Sequence, residues 1–175
     1  MLSKIETFET FQGQPTALET FLVGKTYRTE QGLSIRLWSD ADIDGAEPSG
    51  FRKPSVTHYG DVELVVGDLS SVRIDFGVPV EKVELYYYVA SDYTESDLEA
   101  EGLEQLGIDV DALSSENFPD FFSVAFVAKP NEPFNATTPT ILSLKPGGPT
   151  AIDLTTSRAG TVHIASIAWE PASNV

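Results

Sequence analysis

Every second residue changes character along much of this chain. In "SVRIDF", Val72, Ile74 and Phe76 fall on one side and Arg73 and Asp75 on the other. "KVELYYYVA" sets Val83, Leu85, Tyr87 and Val89 against Glu84, Tyr86 and Tyr88. "TVHIASIAW" sets Val162, Ile164, Ser166 and Ala168 against His163, Ala165, Ile167 and Trp169. A period of two is the mark of a half-buried β-strand, because successive side chains leave the backbone on opposite faces. The stretches "KIETFETF", "GLSIRLW", "VELVV", "FFSVAFVA", "TILSL" and "TAIDL" read the same way. Turn-forming residues separate them, among them Gly67-Asp68, Lys145-Pro146-Gly147-Gly148-Pro149 and Arg158-Ala159-Gly160. About nine short strands punctuated like this predict an all-β fold, an antiparallel β-sandwich.

One segment departs from the alternation. "TESDLEAEGLEQLG" carries Ser96-x-x-Glu99, the pattern of a capping box, then Leu98, Leu103 and Leu106, with Gly107 as a stop. The spacing predicts one short helical insertion around 97–106, followed by a further turn in "DVDALSSE", with Gly102 weakening its interior. No repeat or linker interrupts the 175 residues, which read as a single β-sandwich domain. Residues 1–27 fit two descriptions: the first strands of the same sandwich, or an arm that pairs with a neighbour's sheet edge.

The succession "GLSIRLW … GFRKP … VELVVGDLSSVRIDFGVPVEKVELYYYVA … FFSVAFVA … AIDLTTSRAGTVHIASIAW" resembles the jelly-roll modules of the galactose-binding-like, carbohydrate-binding type over roughly residues 32–170. The resemblance lies in the step Ile74-x-Phe76-x-x-Pro79-Val80-x-x-Val83-x-Leu85 and in the closing strand that ends at Trp169. It implies a fold rather than an activity.

Composition narrows the partners. Twenty-seven acidic against 11 basic residues give a formal charge of -16, and only Arg52-Lys53 are adjacent bases, so nucleic acid is a poor partner. Such acidity favours solubility, cation binding or docking on a basic partner, and a salt-adapted source would produce it too. With no cysteine there are no disulfides and no thiolate chemistry. "MLSKIETFETFQGQ" lacks the apolar core of a signal peptide, and no run is apolar enough for a membrane helix, so membrane insertion is not expected.

Two groups of residues carry candidate chemistry. Asp40-x-Asp42-x-Asp44-Gly45 matches the first half of a calcium loop, in which alternate carboxylates converge and glycine turns the chain. An EF-hand would need a glutamate where Phe51 stands. A sandwich loop could instead finish the shell with Glu47, carbonyls and water, so Asp40, Asp42, Asp44 and Glu47 are the metal candidates and Ca2+ the candidate cofactor. The competing reading is a solvated acidic connection. Trp38, Tyr59, Tyr86 and Tyr88 are the ligand-binding candidates, since aromatic planes with polar tips suit sugar rings and protein contacts. Burial against the second sheet or beneath the helix is the alternative for them.

Catalytic signatures are missing. The two histidines, His58 and His163, have no metal spacing, and there is no nucleophile elbow, Walker loop or dinucleotide fingerprint. His163, mid-strand beside Ile164, reads as a satisfied structural histidine, and Asn135-Ala136-Thr137 as a chance sequon. The expectation is a non-catalytic structural or interaction subunit of a larger assembly, such as a phage virion decoration or cement protein, oligomeric or particle-bound. A virion or an extracellular surface is the favoured location. The alternatives are a carbohydrate-binding module with a calcium-stabilised loop, whose partner is a glycan, and a glycoside-active hydrolase, which needs two converging carboxylates.

Overall fold

The structure is a computed structural model, and it describes residues 4–11, 14–40, 46–54, 61–91, 94–104, 106–114, 121–130, 140–144, 148–156 and 160–173. Its strands in chain order are β1 (Lys4–Glu6), β2 (Thr10–Phe11), β3 (Gln14–Pro15), β4 (Glu19–Thr20), β5 (Thr26–Arg28), β6 (Ser34–Ser39), β7 (Gly50–Arg52), β8 (Glu63–Val66), β9 (Ser71–Asp75) and β10 (Val80–Ser91). The helix α1 (Glu95–Glu101) follows, then β11 (Leu106–Ser114), β12 (Phe121–Pro130), β13 (Thr140–Leu144), β14 (Ala151–Thr156) and β15 (Gly160–Pro171). One sheet runs β13-β10-β15-β8-β7-β4, with β1 also paired to β15. The second runs β11-β12-β14-β9-β6-β5, and β2 and β3 form a small hairpin. All pairs are antiparallel except β12 with β14. The expected all-β sandwich holds, as two antiparallel-rich sheets with one helix among the described residues.

The period-two faces explain why the sheets stack. Val83 and Leu85 of β10, Leu64 and Val66 of β8 and Ile164 of β15 meet Ile35 and Leu37 of β6, Val72 and Ile74 of β9 and Leu154 of β14 in one buried cluster. Burying each such side chain contributes about 1.5–3 kcal/mol. Tyr87 crosses the core to Phe126 of β12, their ring centroids 5.6 Å apart. Phe21, Tyr27 and Phe51 close the side where β4 and β5 are the last strands, with Phe21 stacked on Tyr27 at 4.4 Å and edge-on to Phe51 at 4.9 Å. In the first 27 residues, β1 pairs with β15, β4 with β7 and β5 with β6, all within the chain.

Three local features differ from the sequence reading. The helix spans Glu95–Glu101 rather than 97–106, and Thr94, not Ser96, caps it. The Thr94 hydroxyl accepts from the Asp97 N–H at 3.2 Å, and Asp97 Oδ2 accepts from the Thr94 N–H at 2.8 Å. An aspartate can close the box as a glutamate does, so two overlapping boxes competed and the earlier one prevailed. Gly102 is the C-cap, with φ of 70°, not an interior residue, and Gly107 lies within β11. Of the segment expected to turn again after the helix, Asp109 to Ser114 therefore belong to strand β11, which is paired along its length with β12.

The third difference is in β15. Tyr86 pairs with Ser166 but Tyr87 with Ile164, so Ala165 is an extra residue, a β-bulge. The slip puts Val162, Ile164, Ile167 and Trp169 together in the core, where strict alternation had divided them. On its other side β15 meets β8 at Val162–Ile164 and β1 at Ile167–Trp169, so the bulge falls where one neighbour gives way to the next.

Candidate functional site

On the outer face of the second sheet, beside the edge strand β5, is an open cleft of about 400 Å³ lined by Thr26, Arg28, Ser34, Arg36, Trp38, Arg73 and Asp75. Strand register builds it. Thr26, Arg36 and Arg73 lie in one row across β5, β6 and β9, and Arg28, Ser34 and Asp75 lie in the next. Their neighbours Tyr27, Ile35 and Ile74 point into the core, so alternation sends these polar side chains outward. Trp38 stands one pleat beyond Arg36, at a register shift between Leu37 and Ser39, and is 43% exposed.

Arg36 and Arg73 are directly opposite each other, a pairing that like charges make unfavourable. Two contacts offset it. Arg73 forms a bidentate pair with Asp153 on β14, at 2.7 and 3.0 Å. Both guanidiniums also lie over the Trp38 ring, Arg36 at 4.8 Å and Arg73 at 4.5 Å from its centroid, where the π face attracts cations. The hydrogen bond to Asp153 raises the pKa of Arg73 against the opposing effect of burial, helped by the charges of Asp153 and Asp75. Arg28 and Arg36 have no carboxylate partner among the described residues. The cleft therefore presents three guanidiniums and one carboxylate on a chain whose net charge is strongly negative.

The other sequence-derived candidates are dispersed. Tyr86 and Tyr88 face away from Leu85 on the first sheet, a different sheet from Trp38. Tyr86 is half-buried. Tyr88 is 3% exposed, stacked on His163 at 4.6 Å, and it offers no open ring face. Its hydroxyl donates to Glu63 Oε2 at 2.6 Å, and His163 Nδ1 donates to Glu63 Oε1 at 2.6 Å. His163 Nε2 is 2.8 Å from Thr161 Oγ1, so both ring nitrogens are engaged. Tyr59, Asp42 and Asp44 lie outside the described residues.

Asp40 and Glu47 are both exposed, and each is linked to the turn between β8 and β9. Ser70 Oγ donates to Asp40 Oδ1 at 3.2 Å, and the Glu47 N–H donates to Asp68 Oδ2 at 3.2 Å. Asp68 is buried, and its second oxygen, Oδ1, has no hydrogen-bond partner among the described residues. Among the described residues no three His, Asp or Glu side chains converge as a metal cluster.

Comparison with protein-family models, curated proteins and solved structures returns no match.

Sequence reasoning reached Trp38 but missed the arginines that frame it, because three separate strands supply them. It also missed Asp68, a lone acid in a turn. Glu63 and His163 are 100 residues apart, and only strand pairing joins them.

Proposed function

We propose that this protein is a non-catalytic interaction subunit that holds a neighbour in a larger assembly, in the manner of a virion decoration or cement protein. The observation that carries this reading is the cleft itself, a half-exposed tryptophan framed by three arginines on an open sheet face. Tryptophan and arginine are the residues on which protein interfaces concentrate binding energy. Asp75 is the one carboxylate lining the cleft, whereas glycoside hydrolysis uses two. Exposed Leu18, Leu22 and Val23 near the β4 and β5 edges add apolar surface of the kind a neighbour covers. Light scattering on the purified chain, alone and mixed with particles from its source, tests the proposal. A gain in mass that Trp38→Ala abolishes supports it. A persistent monomer that joins no particle but binds one sugar saturably on a glycan array overturns it in favour of a carbohydrate-binding module.

A single atom favours the calcium-stabilised loop of that second reading. Asp68 Oδ1 is a buried carboxylate oxygen without a donor among the described residues, on a side chain that already touches the Glu47 backbone. A hard cation there would fill the vacant acceptor and tie the acidic connection to the turn. Terbium is the probe, with Trp38 as sensitiser. Saturable emission displaced by calcium and lost in Asp68→Asn supports the loop site. Emission unchanged by that substitution removes it.

A further inference from the structure

The cleft lies beside the outermost strand of its sheet, and this sets what kind of neighbour fits. β5 pairs with β6 on one side, and among the described residues no strand pairs with its other side. Such an edge presents alternate backbone donors and acceptors to any extended chain that lies along it. Thr26 and Arg28 leave the strand outward toward the cleft while Tyr27 is buried, so side chains of an added strand would meet this same outward face.

Immediately before β5 the chain makes a turn in which the Lys25 N–H donates to the Leu22 carbonyl at 3.1 Å, with Gly24 at φ of 83°. A positive φ at the third position marks a type II turn, and glycine fits it. The turn presents Leu22 and Val23 to solvent, 64% and 59% exposed. The Gly24 N–H donates to the Leu37 carbonyl at 3.0 Å, which pins this apolar tip beside Trp38. One strip therefore runs from an aliphatic tip past a tryptophan to three arginines, along an open strand edge.

We infer that the β5 edge with the Arg28–Arg36–Arg73 cleft is a docking site for an extended acidic segment of a partner protein. The segment would pair with β5 as an added strand and place carboxylates on the arginines and an apolar residue on Leu22 and Val23. The inference rests on the interaction role proposed above and specifies the partner's chemistry. Charge complementarity decides the sign. The chain carries a large excess of acid, yet none of its described carboxylates neutralises Arg28 or Arg36, so those forks are available to an incoming carboxylate. The open edge decides the form, because a free sugar acid or phosphate has no use for a row of backbone donors and acceptors. Charged side chains on an edge also deter aggregation, and that role alone would leave the cleft without a ligand.

The test reads Trp38 fluorescence, since the only other tryptophan, Trp169, is 1% exposed. The probes are a peptide of about ten residues alternating Glu and Val, its Lys-Val counterpart, a Glu-Val peptide N-methylated along one edge, glucuronate and inorganic phosphate. The Glu-Val peptide is expected to bind saturably, weakening about ten-fold or more between low and high salt. The Lys-Val and N-methylated peptides should bind at least about ten-fold more weakly. Arg28→Gln with Arg36→Gln, both exposed positions, should lose a similar factor while thermal melting stays unchanged. Glucuronate or phosphate binding as tightly as the peptide overturns the strand component. Equal binding of the Glu-Val and Lys-Val peptides, or binding of neither, overturns the site, and an N-methylated peptide that binds as tightly as its parent overturns the strand component. A chain that joins particles yet ignores the Glu-Val peptide refutes this inference alone. A chain that binds the peptide but joins no particle refutes only the assembly role.

Discussion

Replacing Tyr88 by phenylalanine removes one oxygen atom from the buried network on the first sheet. The ring and its stacking on His163 at 4.6 Å are retained, so the change isolates the hydroxyl. That hydroxyl donates at 2.6 Å to a glutamate only 1% exposed, and its loss leaves Glu63 Oε2 without a donor in a place water does not reach. Leaving a buried acceptor unsatisfied costs about 1–3 kcal/mol, so the expected loss is about 2 kcal/mol. For a domain of this size each kcal/mol moves the melting temperature by roughly 2–4 °C, which gives a fall of about 4–8 °C. Urea unfolding followed by circular dichroism should show a lower midpoint with the same slope.

Glu63→Leu removes the acceptor of two hydrogen bonds, from the Tyr88 hydroxyl and from His163 Nδ1, and should cost more, about 3–5 kcal/mol. Adding Tyr88→Phe to Glu63→Leu should then cost less than Tyr88→Phe does alone, because the hydrogen bond it removes is already gone. Independent sites would instead add to within about 0.5 kcal/mol. Additivity of that kind, or a Tyr88→Phe melting point within about 1 °C of the parent, refutes the reasoning.

Two glycines separate crowding from backbone strain. A Cβ on Gly67 would overlap the Glu47 carbonyl, so Gly67→Ala should cost about 3 kcal/mol in chemical denaturation. Gly77 has a φ of 70° but open space around its Cβ position, so Gly77→Ala should cost only about 1 kcal/mol. Asp153→Asn breaks the bidentate pair with Arg73 and should cost about 1 kcal/mol, less in high salt, by thermal melting. Arg73 has its pKa raised on folding, so its contribution is complete below the ordinary arginine value and is lost only above the folded one. Between about pH 5 and 10 the guanidinium itself should therefore add no slope to stability, and a slope there that vanishes in Arg73→Leu would contradict this.

The strands were legible because burial on one face writes itself as alternation, and "SVRIDF" and "KVELYYYVA" occupy the faces their patterns predict. Trp38 was legible as a candidate because it is an aromatic plane at the end of an alternating strand, suited to a ligand or protein contact. The arginines were not, because the row holding Arg36 and Arg73 exists only once β6 and β9 pair in one register. The network around Glu63 was hidden for the same reason, its members being spread over β8, β10 and β15. The helix was placed within a few residues, and its boundary moved because threonine and serine offered rival caps. The bulge in β15 defeated the periodicity argument outright, since one unpaired residue inverts the face of every residue after it.

That unpaired residue also makes β15 a strand with a spare link. Opposite β10, nothing answers to Ala165, and the segments before and after it already present their large side chains to the same side. Shortening the chain by one residue there would let the β10 ladder close without turning any flanking side chain over. The same cut at Val162 or Ile167 would turn everything beyond it inside out. Length changes in this strand are therefore tolerable at one address, and an insertion once accepted there leaves the rest of the fold in step.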